Sequence, residues 1–168
     1  TGSVSGGSYA VAGLVDGTNT ITVYDDHGCS KVVTYVADLK APIAATYSPN
    51  GITTANNHPQ LVLTFNEDVA VGTGSVQIMK VSDNTLAIPA IAASAITVSG
   101  KTATVTYTGG LDKNTDYYVL LDGGIVKDLA GNAFAGTTAT TTWTFKTGNE
   151  FATPVIEPKD NSLEFKVY

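Results

Sequence analysis

The sequence predicts an all-β protein built as a β-sandwich, and three observations carry that expectation. Short runs rich in Val, Ile, Thr and Tyr recur between clusters of Gly, Asn, Asp and Pro, the punctuation of strands and turns. Within those runs apolar and polar residues alternate, and nowhere does the 3.6-residue period of a long amphipathic helix take over. The runs also follow one another at the spacing of a sandwich, in which each sheet buries one face.

In chain order, SYAVAGL, NTITVYD and KVVTYVA fill residues 8–37, with VDGTN and DDHGC as Gly-containing turns between them. Three strands rarely bury enough surface by themselves, so this piece is expected to lean on the central domain, the tail or a neighbouring molecule. DLKAPIAATYSPNG, residues 38–51, holds two prolines and reads as a linker into a new domain, because proline lacks the amide donor that a central strand needs. QLVLTF then places Leu61, Leu63 and Phe65 on one face. SVQIMKV, AITVSGKTATVTY, DYYVLLD and TTTWTFKT follow, the last alternating Trp143 and Phe145 with Thr142 and Thr144. After Gly148 two more prolines precede a closing alternation, Leu163, Phe165, Val167. The expected plan is residues 1–37 as the last strands of a preceding β-repeat, 38–148 as the sandwich, and 149–168 as a linker with the first strand of a following unit.

Composition narrows the function. All nine basic residues are lysines, set against fifteen acids for a net charge of -6. Nucleic-acid binding needs clustered cations that release counterions, so no nucleic-acid partner is expected. No run of eighteen apolar residues is long enough to span a bilayer as a helix. The opening TGSVSGGSYA lacks the basic start and apolar middle of a signal peptide and lies inside a β-like pattern, so an excised piece of a longer protein is expected. The single cysteine, Cys29, excludes both an intrachain disulfide framework and a cysteine-rich zinc site.

Several stretches are similar to signatures of chemistry. In LDKNTDYYV, the Leu111-to-Tyr117 spacing is that of a tyrosine corner, whose phenol bonds backbone upstream. Asp112, Asn114 and Asp116 alternate like the first ligands of an EF-hand, but Tyr117 stands where that loop requires glycine. SGKT, residues 99–102, copies the tail of a phosphate loop, yet Ala95 replaces the earlier glycine and a strand follows in place of a helix; it reads as a hairpin turn. His27 and His58 lie in separate turns, and no serine sits in a nucleophile elbow, so no enzymatic activity is expected. The adjacent acids Glu67 and Asp68, or Asp25 and Asp26, point to opposite faces on a strand and make poor glycosidase pairs. Trp143 reads as core rather than a sugar platform, since Phe145 shares its face. Lys127 and Lys80 are formal candidates for an isopeptide staple, with no buried acid identified to support it.

KDLAGNAFAG, residues 127–136, is the most loaded loop. Gly131 and Gly136 are expected at positive backbone dihedrals, Asn132 to bond neighbouring amides, and Leu129 with Phe134 to plug the end of the sandwich. The Asp128 carboxylate either caps the local turn or joins other acids around a hard cation.

Residues 38–147 resemble the bacterial Ig-like domain of surface-layer proteins and large adhesins. The resemblance lies in D..AP.....SPNG at the entry, LVLTFNEDVAVGTGSVQI, LDKNTDYYVLLDGGIVKDLAGNAFAG, and the closing TWTFKT. Residues 6–37 resemble the C-terminal half of a gliding-adhesin repeat, with its Tyr-x-Val, Val-x-Asp and Gly-Cys pattern. This resemblance implies an Ig-like Greek-key sandwich flanked by strands of adjacent units. It also implies a non-catalytic structural or adhesive module, a spacer, in a large repetitive bacterial protein that is secreted or on the cell surface. Its partners would be neighbouring repeats of the same chain, and a glycan or a cell-surface protein. Ions at the junctions of such domains stiffen tandem arrays, which nominates Asp38, Glu67, Asp68 and Asp128 as calcium ligands. Two other roles stay open: an accessory or carbohydrate-binding module of a secreted polysaccharide-degrading enzyme, and a module that pairs an exposed strand with a partner protein.

Overall fold

A computed structural model describes residues 10–149 in full and residues 155–159 and 162–166 by their backbone. The chain forms two compact units, Thr1–Ala41 and Pro42–Tyr168.

In the first unit, β1 (Gly17–Tyr24) and β2 (Ser30–Ala37) make an antiparallel hairpin registered from Gly17↔Ala37 to Tyr24↔Ser30. Its turn is held by the Asp25 carboxylate, which accepts the amides of His27 at 3.0 Å and Cys29 at 2.7 Å. The expected strand at SYAVAGL is not formed over residues 10–14, and residues 8 and 9 lie outside the described residues. Asn19 gives a local reason for the loop that follows: its side chain takes the Val15 amide at 2.9 Å and donates to the Val15 carbonyl at 2.7 Å. Both backbone groups of that residue are thereby withdrawn from a ladder.

The second unit contains β3 (Ala44–Ser48), β4 (Leu61–Phe65), β5 (Val69–Val71), β6 (Ser75–Lys80), β7 (Ile91–Ala92), β8 (Ile96–Ser99), β9 (Thr102–Val105), β10 (Asp116–Leu121), β11 (Val126–Asp128) and β12 (Thr144–Lys146). A further antiparallel hairpin joins β13 (Val155–Lys159) to β14 (Ser162–Lys166). One four-stranded sheet has the order β3-β4-β9-β8, the other β12-β10-β6-β7, and β11 pairs with β5 as a small ribbon. Strands adjacent in sequence change sheets, from β3-β4 to β6-β7 and from β8-β9 to β10, so the sheet neighbours β4-β9 and β6-β10 are joined by Greek-key crossovers. The described residues include no α-helix and one turn of 3₁₀ helix, Ala93–Ala95.

Alternation decides what each strand buries. Leu61, Leu63 and Phe65 of β4, with Ala103 and Val105 of β9, join Val76, Ile78, Tyr117, Val119, Leu121 and Phe145 of the opposite sheet in one core. Each large apolar side chain so buried stabilises the fold by about 1.5–3 kcal/mol. Trp143 is fully buried, and its indole N–H donates to the Pro49 carbonyl at 2.6 Å. A buried ring with a satisfied N–H is core, not a sugar platform.

The entry segment corrects the linker expectation. Pro42 and Pro49 bracket β3 rather than interrupt it, and Ala44 and Tyr47 pack on the core from this edge strand. The Ser48–Pro49 peptide is cis. Beyond it, residues 51–55 run along the free edge of β12, with a parallel bridge between Ala55 and Thr147. The tyrosine corner forms as expected: the buried Tyr117 hydroxyl accepts the Asp112 amide at 2.8 Å.

Candidate functional site

Of the acids nominated by the sequence, Asp128 is placed by the β5-β11 ribbon and the loop after it, and Glu67 and Asp68 by the turn between β4 and β5. Asp128 ends β11, where Val69 of β5 is its partner in the ladder. The chain then turns back so that Lys127 bridges Ala133. Within the turn the Asp128 amide donates to the Asn132 carbonyl at 3.0 Å. Its carboxylate accepts the Asn132 backbone amide at 2.7 Å on one oxygen and the Asn132 side-chain amide at 2.6 Å on the other. Gly131, at φ 100, supplies the positive dihedral this tight return requires.

Asp128 is 2% exposed. Burial pushes its pKa up, but donation from the Asn132 side chain and from the amides of Asn132, Gly131 and Ala130 outweighs that, and the pKa lies below the ordinary 3.8. The carboxylate is thus an anion held by its own loop.

Glu67, half-buried after β4, has a carboxylate oxygen within 4.8 Å of one on Asp128. Asp68 is exposed and lies against Gly100 of the β8-β9 turn. Asp38 belongs to the first unit, is exposed, and accepts the Lys40 amide at 3.2 Å. Oxygen donors of this kind suit a hard cation, but Glu67 and Asp128 together offer fewer than the six to eight that calcium takes, so carbonyls or water would complete the shell.

The rest of the loop divides between expectation and correction. Phe134 is buried and meets Phe65 edge-on, with centroids 5.3 Å apart. Leu129 does not plug the sandwich: it is 74% exposed, because the Asp128–Asn132 turn carries it outward. Gly136, at φ 83, is where a β-carbon would strike the Leu121 carbonyl.

The other nominated chemistry resolves into structure. Asp112 pairs with Lys80 at 2.6 Å and Asp116 with Lys146 at 3.4 Å, while Asn114 adopts a left-handed φ of 48 as a turn residue. These groups serve the corner and its flanks, not an EF-hand. Lys127 is exposed, and the Lys80-Asp112 pair is open to solvent, with Asp112 65% exposed; neither resembles the dry setting of an isopeptide staple. Gly100, at φ 55, makes SGKT a hairpin turn, and Lys101 donates to the Asn66 carbonyl at 2.9 Å. His58 stacks on Tyr107 at 4.3 Å and its Nδ1 meets the Gly109 carbonyl at 2.9 Å. The Tyr107 hydroxyl donates to the Pro59 carbonyl, and burial pushes its pKa up. His27 contacts Asp26 at 2.7 Å in an exposed turn that also holds Asp25.

One set of residues escaped the sequence. Asn50 accepts the Thr144 amide at 2.9 Å and donates to the Thr142 carbonyl at 3.3 Å, joining the start of the sandwich to its last strand. A Pro-Asn-Gly run signals a turn, and nothing local shows which distant strand the asparagine will reach.

Two facing sheets of order β3-β4-β9-β8 and β12-β10-β6-β7, with a tyrosine corner before β10, define an Ig-like sandwich. Residues 38–147 match the model of a family described as bacterial Ig-like domain, and the chain belongs to that family. No curated protein and no solved structure matches the chain. Among the described residues no helix is long and apolar enough to cross a membrane.

Proposed function

We propose that the chain is a non-catalytic structural segment, a spacer or adhesive module, of a large repetitive bacterial protein that is secreted or displayed on the cell surface. The observation that supports this most is how the polar groups of the Ig-like unit are used. Asp112, Asp116, Asp122, Asp128, Asn50 and Trp143 each bond the unit's own chain or a lysine on it, which is what a scaffold needs. A buried Trp143 also weighs against the carbohydrate-binding alternative. The parent gene discriminates these roles: further β-repeats beside this segment support the spacer, and a hydrolase domain beside it supports the accessory module. Turnover of any polysaccharide by the purified chain would overturn the proposal.

Calcium is part of the same proposal, with Glu67, Asp68 and Asp128 of the Ig-like unit as its candidate ligands. Support comes from the approach of Glu67 to Asp128 and from the hard, all-oxygen donor set. An ion bound only by the folded state raises stability by mass action. Saturating calcium should therefore raise the melting temperature by about 5 °C or more over a chelator-treated sample. Glu67→Gln should abolish that rise, and an unchanged melting temperature in the parent chain counts against the metal.

A further inference from the structure

The two ends of the Ig-like unit are bonded to each other by strands that run in the same direction. The Gly51 amide donates to the Thr144 carbonyl at 2.7 Å, Lys146 to Ile52 at 2.8 Å, Ala55 to Lys146 at 2.9 Å and Gly148 to Ala55 at 2.9 Å. Side chains extend the ladder upstream. Asn50 bonds both the Thr142 carbonyl and the Thr144 amide, and the Trp143 indole donates to the Pro49 carbonyl.

Direction matters once the chain is pulled. In a parallel pair, the residue before 49 and the residue after 148 leave from opposite ends of the ladder. Tension along the chain drags the two strands past each other, so every bond is loaded at once. An antiparallel hairpin such as β1-β2 behaves otherwise, since its chain ends leave side by side and its bonds open one at a time.

We propose that residues 49–55 and 142–148 form a force-bearing clamp, with Asn50 as its anchoring side chain, that keeps the sandwich folded under tension carried along the polypeptide. Load entering at Pro42 meets β3 first, whose ladder with β4 has an irregularity between Ala44 and Thr46. The clamp is the next barrier, and the core cannot open until it shears. Resistance of this kind belongs to the fold and needs neither calcium nor a particular neighbour; its use in a tensioned array rests on the spacer role proposed above.

Single-molecule force spectroscopy on the full 168-residue chain, held by its two ends, tests this. Two classes of event are expected. Opening of the antiparallel β1-β2 and β13-β14 hairpins should occur at low force with short gains in length. The sandwich should yield at several-fold higher force with a gain of about 30–35 nm, from the residues between the clamp strands at about 3.6 Å each. Asn50→Ala should speed unfolding at fixed load about tenfold or more, by removing two bonds from the ladder. Ile78→Val, a core change in β6 outside the clamp, should leave the rupture force nearly unchanged even where its loss of urea midpoint is similar. The clamp is overturned if the sandwich yields at the force of the hairpins, or if both variants lower the force equally. The first of these outcomes needs only the unsubstituted chain.

Discussion

Asp128 carries the sharpest residue-level expectation. Its pKa is depressed in the folded state, so the stability it contributes is present above the unfolded value and is lost as pH falls through the lower folded one. Urea midpoints should therefore decline below about pH 4, and Asp128→Ala should flatten part of that decline. At neutral pH the same substitution should cost about 1.5–3 kcal/mol, the range for hydrogen bonds to a charged group. An unaffected midpoint would show that the loop does not depend on the carboxylate. Thr137 makes the opposite case. Its hydroxyl is buried and has no hydrogen-bond partner among the described residues, so Thr137→Val should hold stability or raise it by about 1 kcal/mol. A clear loss in chemical denaturation would mean that the hydroxyl is satisfied after all. Both behaviours have different degrees of legibility. The turn chemistry of Asp128, Gly131 and Asn132 is local and could be read from spacing, whereas the exposure of Leu129 depends on which way the finished turn faces.

At the scale of elements, the strands of the sandwich were legible because alternation writes burial directly into the order of residues. Leu61, Leu63 and Phe65, or Trp143 and Phe145, would have to face water if their strands slipped by one residue. The edge strand β3 was not legible for the same reason in reverse: it buries little, is only five residues long, and sits between prolines that resemble linker punctuation. The stretch SYAVAGL misleads in the other direction, with strand-like composition over residues 10–14 that form none. The tyrosine corner shows where spacing suffices, because a phenol at the start of β10 can reach only the backbone of the connection before it. Tyr117→Phe should cost about 1–2 kcal/mol by leaving the Asp112 amide without its acceptor. Thermal melting of that variant at neutral pH measures the cost, and a melting temperature equal to the parent's would remove the corner from the list of stabilising contacts.

On the scale of the whole molecule, family membership, two packed sheets and polar groups turned to the fold's own use support the scaffold role proposed above. What joins the scaffold's beginning to its end is long-range, and no pattern within PNGITTA states that it will pair with TWTFKT. That pairing is the claim on which closure of the sandwich depends. Amide hydrogen exchange, read residue by residue by NMR, measures it directly. The amides of Gly51, Ala55, Lys146 and Gly148 should exchange as slowly as that of Val119, which donates to Trp143 inside the same sheet, because all open only when the unit unfolds. Exchange of those four at the rate of an exposed loop, with Val119 still protected, would contradict it.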